Sequence, residues 1–332
     1  MGGKALKHTY TRRYERAEFE EIKKEIYPKL NKYFSQVAVP LYYRNKESFS
    51  DIDFVVGIQE DFKFNIKEVI QELFHPNEIF HNNDCYSFNY KELQVDLITV
   101  NSINFESNLI YLSYNGLGSL IGRLSKKFGL KYGKDGLWYE HEFKGLKIAS
   151  FPVSKDYQKI FSFLGLDFNK WRLGFDELED IFKFVAESSY FDWRIFQLKE
   201  LNSMDRKRNL KRSFYMAFID WVDKNAKHRE YSFKTPDSYL PNIIKAFPEA
   251  DLIMKIRKSE YEYCKKLYVN SKFNGNIISK KFNLIGNELG KAIINFKKYI
   301  AENGYDFNDW IINNEMDEIY SKFENSLKKN FN

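Results

Sequence analysis

The chain of 332 residues contains few cysteines and no long apolar segment. Its two cysteines, Cys85 and Cys264, lie far apart, which excludes a disulfide-stapled scaffold and favours a reducing compartment. The Cys/His ligand spacing of a structural zinc site is also missing. No segment approaches the roughly 20 apolar residues of a membrane-spanning helix. We therefore expect a cytoplasmic protein with no membrane partner.

Proline is scarce as well, whereas aromatic and basic residues are abundant. The chain has 7 Pro against 31 Phe and 23 Tyr, and 52 Lys+Arg against 46 Asp+Glu, which gives a net charge of +6. Hydrophobic residues at 43% and charged residues at 30% exclude collagen-like, mucin-like and wholly disordered classes. The length predicts two domains or one large one. The modest positive charge is compatible with a phosphate-bearing partner but does not establish one.

The periodicity of apolar residues changes along the chain. Before Pro152 it predicts a helix at 17–34, strand–turn–strand at 36–60, a helix at 66–74, strands at 86–90 and 93–100, and partly helical structure at 106–129. Turn signals at Asp135-Gly136 and Lys144-Gly145 predict a hairpin or a small sheet. After Pro152 the patterns are helical, including 176–201, 209–226 and 286–300. The sequence therefore predicts an α+β N-terminal part and an all-helical C-terminal part.

Two aspartates begin an apolar strand in the segment Asp-Ile-Asp-Phe-Val-Val. Asp51 and Asp53 are two residues apart, so their side chains point to the same face of the strand. Like charges so close repel each other unless a cation shares them. The pair therefore suggests a divalent metal with oxygen ligands, although a solvated strand end explains the pair equally simply.

A third carboxylate, Asp96, lies inside the apolar segment Leu-Gln-Val-Asp-Leu-Ile. A charged residue is rare in such a strand unless it is paired or bound to a metal. If the two strands are neighbours, three carboxylates converge, which suits two metal ions that hold a triphosphate and activate a hydroxyl. The alternative is a structural ion pair between Asp96 and a lysine or arginine.

This order of motifs resembles the nucleotidyltransferase superfamily of DNA polymerase beta, and most closely its family X polymerases. Beyond the aspartates, the resemblance rests on segments that follow the family's order and spacing: 110–113, 120–124, 127–130 and 160–166. They are similar to the family's Tyr-Phe-Thr-Gly, Phe-Asn-x-x-Leu-Arg, Lys-Gly-Leu and Ile-Phe-x-x-Leu-Gly-Leu segments. The resemblance covers about residues 17–172. One departure is that Pro40 and Leu41 replace the family's Gly-Ser, which holds the triphosphate.

The resemblance implies a set of site residues. Asp51, Asp53 and Asp96 would be the catalytic metal ligands for two Mg²⁺ ions, with Mn²⁺ as an alternative. The residues that would bind the nucleotide are Arg44, Lys46, Ser48, Tyr111 and Arg123. Because Pro40 lacks an N–H and Leu41 lacks a hydroxyl, the grip on the phosphates would fall to Arg44, Lys46 and Ser48.

Basic residues on predicted helices are candidates for nucleic-acid binding, although solvated helix faces explain them as well. They are Lys126, Lys127, Arg206, Arg208, Lys211 and Arg212. Residues 272–300 also show a weak similarity to CCA-adding tRNA nucleotidyltransferases and poly(A) polymerases, through Asn274-Gly275 and the glycines Gly286 and Gly290.

The resemblance implies an α+β fold with a mixed-sheet nucleotidyltransferase domain at 1–105. A small α/β thumb-like segment would follow at 106–172, and a helical C-terminal domain at 173–332, for which nucleic-acid binding is a hypothesis. The implied activity is transfer of a nucleoside monophosphate from an NTP or dNTP to a hydroxyl, with an RNA or DNA 3′ end as the leading acceptor. The alternatives are a toxin-like enzyme that modifies tRNA, protein or a small molecule, and a non-catalytic nucleic-acid-binding relative.

Overall fold

The computed structural model describes residues 3–329 and has an α+β fold. The strands are β1 (Tyr14–Glu15), β2 (Gln36–Ala38), β3 (Ser48–Phe49), β4 (Asp51–Ile58), β5 (Ile79–Asn82), β6 (Cys85–Tyr90), β7 (Leu93–Asn101), β8 (Leu130–Gly133), β9 (Gly136–Phe143) and β10 (Leu146–Ser154). The helices before Ala250 are α1 (Arg16–Leu30), α2 (Ile66–Phe74), α3 (Phe105–Leu112), α4 (Leu117–Lys126), α5 (Tyr157–Phe163), α6 (Phe168–Leu173), α7 (Leu178–Ala186), α8 (Ser203–Leu210), α9 (Ser213–Asn225) and α10 (Leu240–Ala246). They are followed by α11 (Leu252–Lys272), α12 (Gly275–Phe282), α13 (Gly286–Glu302), α14 (Phe307–Asn313) and α15 (Met316–Lys329).

Five strands form a mixed sheet in the order β2-β4-β7-β6-β5. The central pair, β4 and β7, is parallel, and the other neighbours are antiparallel. Both central strands are nearly continuous apolar runs, as expected for strands that are covered on both faces. The predicted helix at 66–74 and the predicted strands at 86–90 and 93–100 are confirmed.

The two faces of this sheet pack against different helices. On one face, Ile52 and Phe54 of β4 join a core with apolar residues of α1 and α2, such as Ile26 and Ile70. On the other face, Val55 packs with residues of β7 and α3. Because side chains alternate along a strand, Asp51, Asp53 and Val55 share the face that α3 covers.

The chain divides into two compact units. One comprises the residues up to Glu140 together with Ser150–Ala250, and contains the five-stranded sheet. The other comprises His141–Ala149 and the chain from Asp251 onward. The second unit has its own core, which includes Phe273, Phe296 and Phe323. The finer division at 105 and 172 stays a prediction.

The helical content after Pro152 follows the sequence pattern, with one difference. The segment 176–201 is interrupted: α7 ends at Ala186, and short 3₁₀ turns follow at Trp193–Phe196 and Leu198–Glu200. A separate three-stranded sheet has the order β10-β9-β8, in agreement with the hairpin or small sheet expected there. None of the helices within residues 3–329 combines the length and the apolar character that crossing a bilayer requires.

Candidate active site

Three carboxylates meet on one face of the central strand pair. β4 and β7 run parallel in a register that places Asp53 directly beside Asp96, and Asp51 beside Gln94. Neighbouring strands in a sheet lie about 4.8 Å apart, so residues in register on the same face are close neighbours. The strand pairing therefore brings together the three aspartates that the sequence singled out.

The environment of the site raises the pKa of two of the carboxylates, Asp53 and Asp96. The pKa of Asp53 is raised well above its usual value, first by burial and then by the charges of Asp51 and Asp96. Burial also raises the pKa of Asp96 to about 6, with Asp51 adding to the shift and hydrogen bonds from Ser87 and Gln94 opposing it. Both carboxylates therefore carry negative charge at an energetic cost.

One lysine partly offsets this charge. Burial lowers the pKa of Lys46, although the negative charges of Asp51 and Asp53 oppose the shift. The Lys46 ammonium lies 4.3 Å from the centre of the Phe49 ring. Lys46 is thus a desolvated cation next to two of the aspartates.

The donor set fits a divalent cation. Carboxylate oxygens are the ligands that Mg²⁺ and Mn²⁺ prefer, and a cation would relieve the repulsion that raises the pKa of Asp53. Among residues 3–329 no three His, Cys, Asp or Glu side chains are already gathered as a metal-ligand set. The residues that would hold such a cation are Asp51, Asp53 and Asp96, which the register of β4 and β7 sets on one face.

Asp51 and Asp53 line a cleft of about 840 Å³. Its walls come from three segments that are far apart in sequence: the N-terminal residues, the junction of α3 and α4, and the junction of α8 and α9. The lining residues are Gly3, Lys4, Thr11, Arg12, Arg13, Lys46, Ser50, Asp51, Asp53, Tyr111, Leu112, Asn115, Gly116, Ser119, Arg208, Arg212, Ser213, Phe214 and Tyr215. Such a volume accommodates a nucleotide-sized ligand.

Two of the basic residues in this lining are arginines from the junction of α8 and α9. Arg212 is half-buried, and its Nη1 donates to Ser119 Oγ at 3.3 Å. Burial lowers the pKa of Arg212, and the nearby positive charge of Arg208 lowers it further. Arg208 is exposed and pairs with Asp205 at 2.8 Å. Two guanidinium groups that repel each other in one cleft favour an anionic ligand between them.

Two arginines of the predicted nucleotide site lie elsewhere. Arg44 is absent from the cleft lining; its Nη1 lies 2.5 Å from Asp176 Oδ1, and its Nη2 donates to the Leu173 carbonyl. Arg123 donates to the backbone carbonyl of Ile195 at 2.9 Å. Both guanidinium groups therefore hold loops together in this structure, and a role in phosphate binding stays a prediction that this geometry does not support.

The remaining predicted residues divide between the cleft and other surfaces. Lys46 and Tyr111 line the cleft, as do Arg208 and Arg212. Ser48 lies outside the lining and accepts a hydrogen bond from Arg13 Nη2 at 2.9 Å. Three other basic residues also lie outside it: Lys126, Lys127 and Lys211. Arg206 lies outside as well and donates to the carbonyls of 198, 199 and 201.

The sequence did not reveal the contribution of the N-terminal segment or of the α3–α4 junction. The N-terminal segment contributes Lys4, Arg12 and Arg13 to the cleft, but a basic terminus has no pattern that assigns it to a site. At the junction, Gly116 packs so tightly that a Cβ there would clash with the Phe214 ring. The two glycines at 116 and 118 were the available sequence signal that another part of the chain packs closely here.

Compared with known proteins, the chain matches no family model, and no curated protein is significantly similar to it. The resemblance to the polymerase beta superfamily therefore rests on the motifs of this chain and on the positions of its own residues.

Proposed function

We propose that this protein is a metal-dependent nucleotidyltransferase. It would transfer a nucleoside monophosphate from an NTP or dNTP to a hydroxyl and release pyrophosphate. The observation that carries the proposal is the register of β4 and β7, which sets Asp53 beside Asp96 and leaves Asp51 on the same face. Asp51 and Asp53 open into a cleft that also contains arginines that suit a phosphate ligand, and Asp96 lies beside Asp53, outside the cleft lining.

In this reaction the oxygen of the acceptor hydroxyl forms a bond to the α-phosphorus. The bond between the α-phosphorus and the α,β-bridging oxygen breaks, pyrophosphate leaves with that electron pair, and the hydroxyl proton passes to solvent. Asp51, Asp53 and Asp96 would hold Mg²⁺, which when bound neutralises phosphate charge and makes the hydroxyl more acidic.

The chain's own groups then bind and orient the substrates. Lys46 carries a desolvated positive charge next to Asp51 and Asp53, which suits a phosphate oxygen bound there. Arg212, which donates a hydrogen bond to Ser119, offers further N–H donors from a segment far along the chain from Lys46. The Tyr111 and Phe214 rings supply apolar surface within the same cleft, suited to a base or sugar.

A nucleic-acid 3′ end is the acceptor that we favour, because Arg208 lies on α8, which carries three basic residues, and Arg212 lies at the start of the next helix. The toxin-like alternative, in which tRNA, protein or a small molecule is modified, uses the same chemistry with a different hydroxyl. The acceptor screen described below distinguishes these substrates.

A non-catalytic nucleic-acid-binding relative is the second candidate. One observation favours it: the Leu41 N–H, at the position of the family's Gly-Ser, donates to Ser113 Oγ at 2.9 Å and is therefore not offered to a phosphate. The intact carboxylate trio opposes it. Salt-sensitive RNA or DNA binding without turnover would be its signature.

The test is an acceptor screen with α-³²P-labelled NTPs and dNTPs in Mg²⁺ or Mn²⁺. Short RNA, short DNA, tRNA and the protein itself serve as acceptors, and the release of pyrophosphate is measured in parallel. We expect label on one acceptor class with wild type, and none with Asp53→Asn. Asp61→Asn, the same change at an exposed position just after β4, is the matched control and should retain activity. Full activity of Asp53→Asn would show that the site is wrong.

A further inference from the structure

The N-terminal arm, defined as residues 3–13, is held against the edge of the carboxylate site. Gly3 has a φ of +72°, and a Cβ there would clash with the backbone carbonyl of Ser50, the residue before Asp51. Glycine meets both requirements, since it tolerates positive φ and has no side chain. The arm therefore begins in direct contact with the start of β4.

Further anchors follow along the arm. The N–H groups of Lys7 and His8 both donate to the carboxylate of Glu78, at 3.0 and 2.9 Å. Later, the Arg12 N–H donates to the backbone carbonyl of Glu92 at 2.8 Å. These contacts distribute the attachment over several elements, so the arm has a defined path beside the sheet.

The arm is connected to Asp96, a candidate metal ligand, through the side chain of Gln94. Gln94 is 2% exposed, and its Oε1 accepts from the Ala5 N–H at 2.8 Å. Its Nε2 donates to both oxygens of Asp96, at 2.9 and 3.1 Å. A continuous chain of hydrogen bonds thus runs from Ala5 through Gln94 to Asp96.

These hydrogen bonds fix which end of the Gln94 amide faces Asp96. An amide has one acceptor end and one donor end. Because the arm presents an N–H, it holds Oε1 and leaves Nε2 to face the carboxylate. Without the Ala5 N–H, Oε1 loses this hydrogen-bond donor and only the carboxylate restrains the amide, so Nε2 can move away from its position against both oxygens of Asp96. The arm therefore helps to hold the donor that stabilises the charge of Asp96.

We propose that Gln94 is a positioning residue for Asp96. The N-terminal arm holds the Gln94 amide in place and so forms part of the active site. The inference rests on the proposed function, in which Asp96 is a metal ligand. Partners that orient a ligating side chain from behind typically change metal affinity or activity by 10–100-fold when they are lost. A merely structural role for Gln94 would change stability without these effects.

Gln94→Met tests the proposal, because it keeps approximately the length of the side chain and removes the donor. We expect kcat to fall about 10-fold or more, with the KM for the nucleotide changed less than about twofold. Mn²⁺ affinity, measured from the electron paramagnetic resonance signal of free Mn²⁺, should weaken by about 10-fold. Gln158→Met, the same change at an exposed position on α5, is the control and should match wild type in both measurements.

Ala5→Pro tests the arm itself, because it removes the N–H that orients Gln94. It should reproduce the Gln94→Met phenotype. The double variant should lose no more activity than Gln94→Met alone, since both changes break the same series of hydrogen bonds. Lys7→Pro removes a neighbouring arm N–H that donates to Glu78 instead, and should have a smaller effect. If Gln94→Met destabilises the fold, Ala5→Pro still tests the proposal from a position that is only partly buried.

The outcomes separate this inference from the proposed function. Wild-type Mn²⁺ affinity and kcat in Gln94→Met would overturn the inference while leaving nucleotidyl transfer intact. Additive losses in the double variant, or equal losses in Ala5→Pro and Lys7→Pro, would also overturn it. If wild type transfers no nucleotide but Gln94→Met still weakens Mn²⁺ binding, the proposed function fails and the positioning role is supported.

Discussion

The acidic floor and the basic wall of the cleft are built in different ways. The floor, defined as Asp51, Asp53 and Asp96, lies on two adjacent strands whose register places the carboxylates together, and Asp51 and Asp53 line the cleft itself. The wall, defined as Ser119, Arg208 and Arg212, comes from segments that the chain reaches later. Local sequence patterns indicate the two strands of the floor and the face on which each aspartate lies, whereas no such pattern indicates the wall, which depends on tertiary packing.

The arginines illustrate the same contrast. Family spacing pointed to Arg44 and Arg123, and the structure engages both in contacts with loops. Two of the arginines that line the cleft, Arg208 and Arg212, belong to the helical region outside the resemblance. In the proposed reaction, these phosphate contacts would come from a different part of the fold than the family motifs imply.

The largest expected effect is on the floor. Asp96→Asn removes a charge from the proposed metal site while preserving shape, so we expect kcat for label transfer to fall on the order of 10³-fold. Asp61→Asn serves as the control, and Tm should be the same in both variants to within a few degrees. A loss smaller than tenfold for Asp96→Asn would mean that the strand register does not define the site.

The second-largest expected effect distinguishes Arg212, in the cleft wall, from Arg44, which contacts a loop. Arg212→Ala removes charged donors from the cleft, and we expect the KM for the nucleotide or the primer to rise about 10–100-fold. Arg44→Ala should leave KM unchanged and lower stability by about 0–1 kcal/mol, because its ion pair with Asp176 is exposed. Steady-state kinetics and thermal unfolding of both variants provide the measurement.

The reverse result would reassign the phosphate contacts. If Arg44→Ala raises KM and Arg212→Ala does not, the family spacing identifies the phosphate ligand and the cleft wall is incidental. Arg212→Lys then distinguishes the role of charge at this position from that of guanidinium geometry, since it retains the charge but loses the forked arrangement of donors.

The third effect concerns how α3 and α4 shape the wall. A Cβ at Gly118 would clash with the backbone carbonyl of Tyr111, whereas at Gly122 on the same helix the nearest atom is the Tyr132 carbonyl oxygen at 3.6 Å. We expect Gly118→Ala to cost about 1–3 kcal/mol in the free energy of unfolding. Gly122→Ala should be neutral or stabilise by about 0.5–1 kcal/mol through helix propensity. Equal effects in urea unfolding would contradict this packing.

The smallest effect is an increase in stability at the floor. Since burial and two negative neighbours raise the pKa of Asp53, its ionisation opposes folding. That cost is absent below the unfolded pKa of about 4 and grows as the pH rises through the folded pKa. Without divalent cations, Asp53→Asn should therefore have a higher Tm than wild type at pH 8, by about 2–4 °C for each kcal/mol of repulsion removed.

This gain should shrink as the pH approaches 4, and Mg²⁺ should stabilise wild type more than the variant. Thermal scans at several pH values, with EDTA or with Mg²⁺, provide the measurement. A lower Tm for Asp53→Asn in EDTA at pH 8 would contradict the electrostatic account of the floor.

Much of the fold could be predicted from the sequence because its signals are local. The apolar runs around Asp53 and Asp96 predicted two buried strands, and the helical spacing at 66–74 predicted α2 with the bounds that the structure has. The shared face of the three aspartates also followed from strand alternation once the strands were taken as neighbours.

The wall and the arm could not be predicted in the same way. Arg212 reaches Ser119 across a wide sequence separation, and Ala5 reaches Gln94 through a backbone N–H that every residue except proline possesses. No residue pattern encodes such contacts. The interruption of 176–201 was equally invisible, because an amphipathic spacing persists through short 3₁₀ turns.

The most direct test of the central claim is a paired transfer assay with NTP labelled at either the α- or the γ-phosphate. Wild type, Mg²⁺ and the best acceptor from the screen are used with each label. Nucleotidyl transfer through Asp51, Asp53 and Asp96 predicts that the α-label becomes attached to the acceptor, while the γ-label is released as pyrophosphate. Transfer of the γ-label to the acceptor, or no transfer of either label to any acceptor, would contradict the claim.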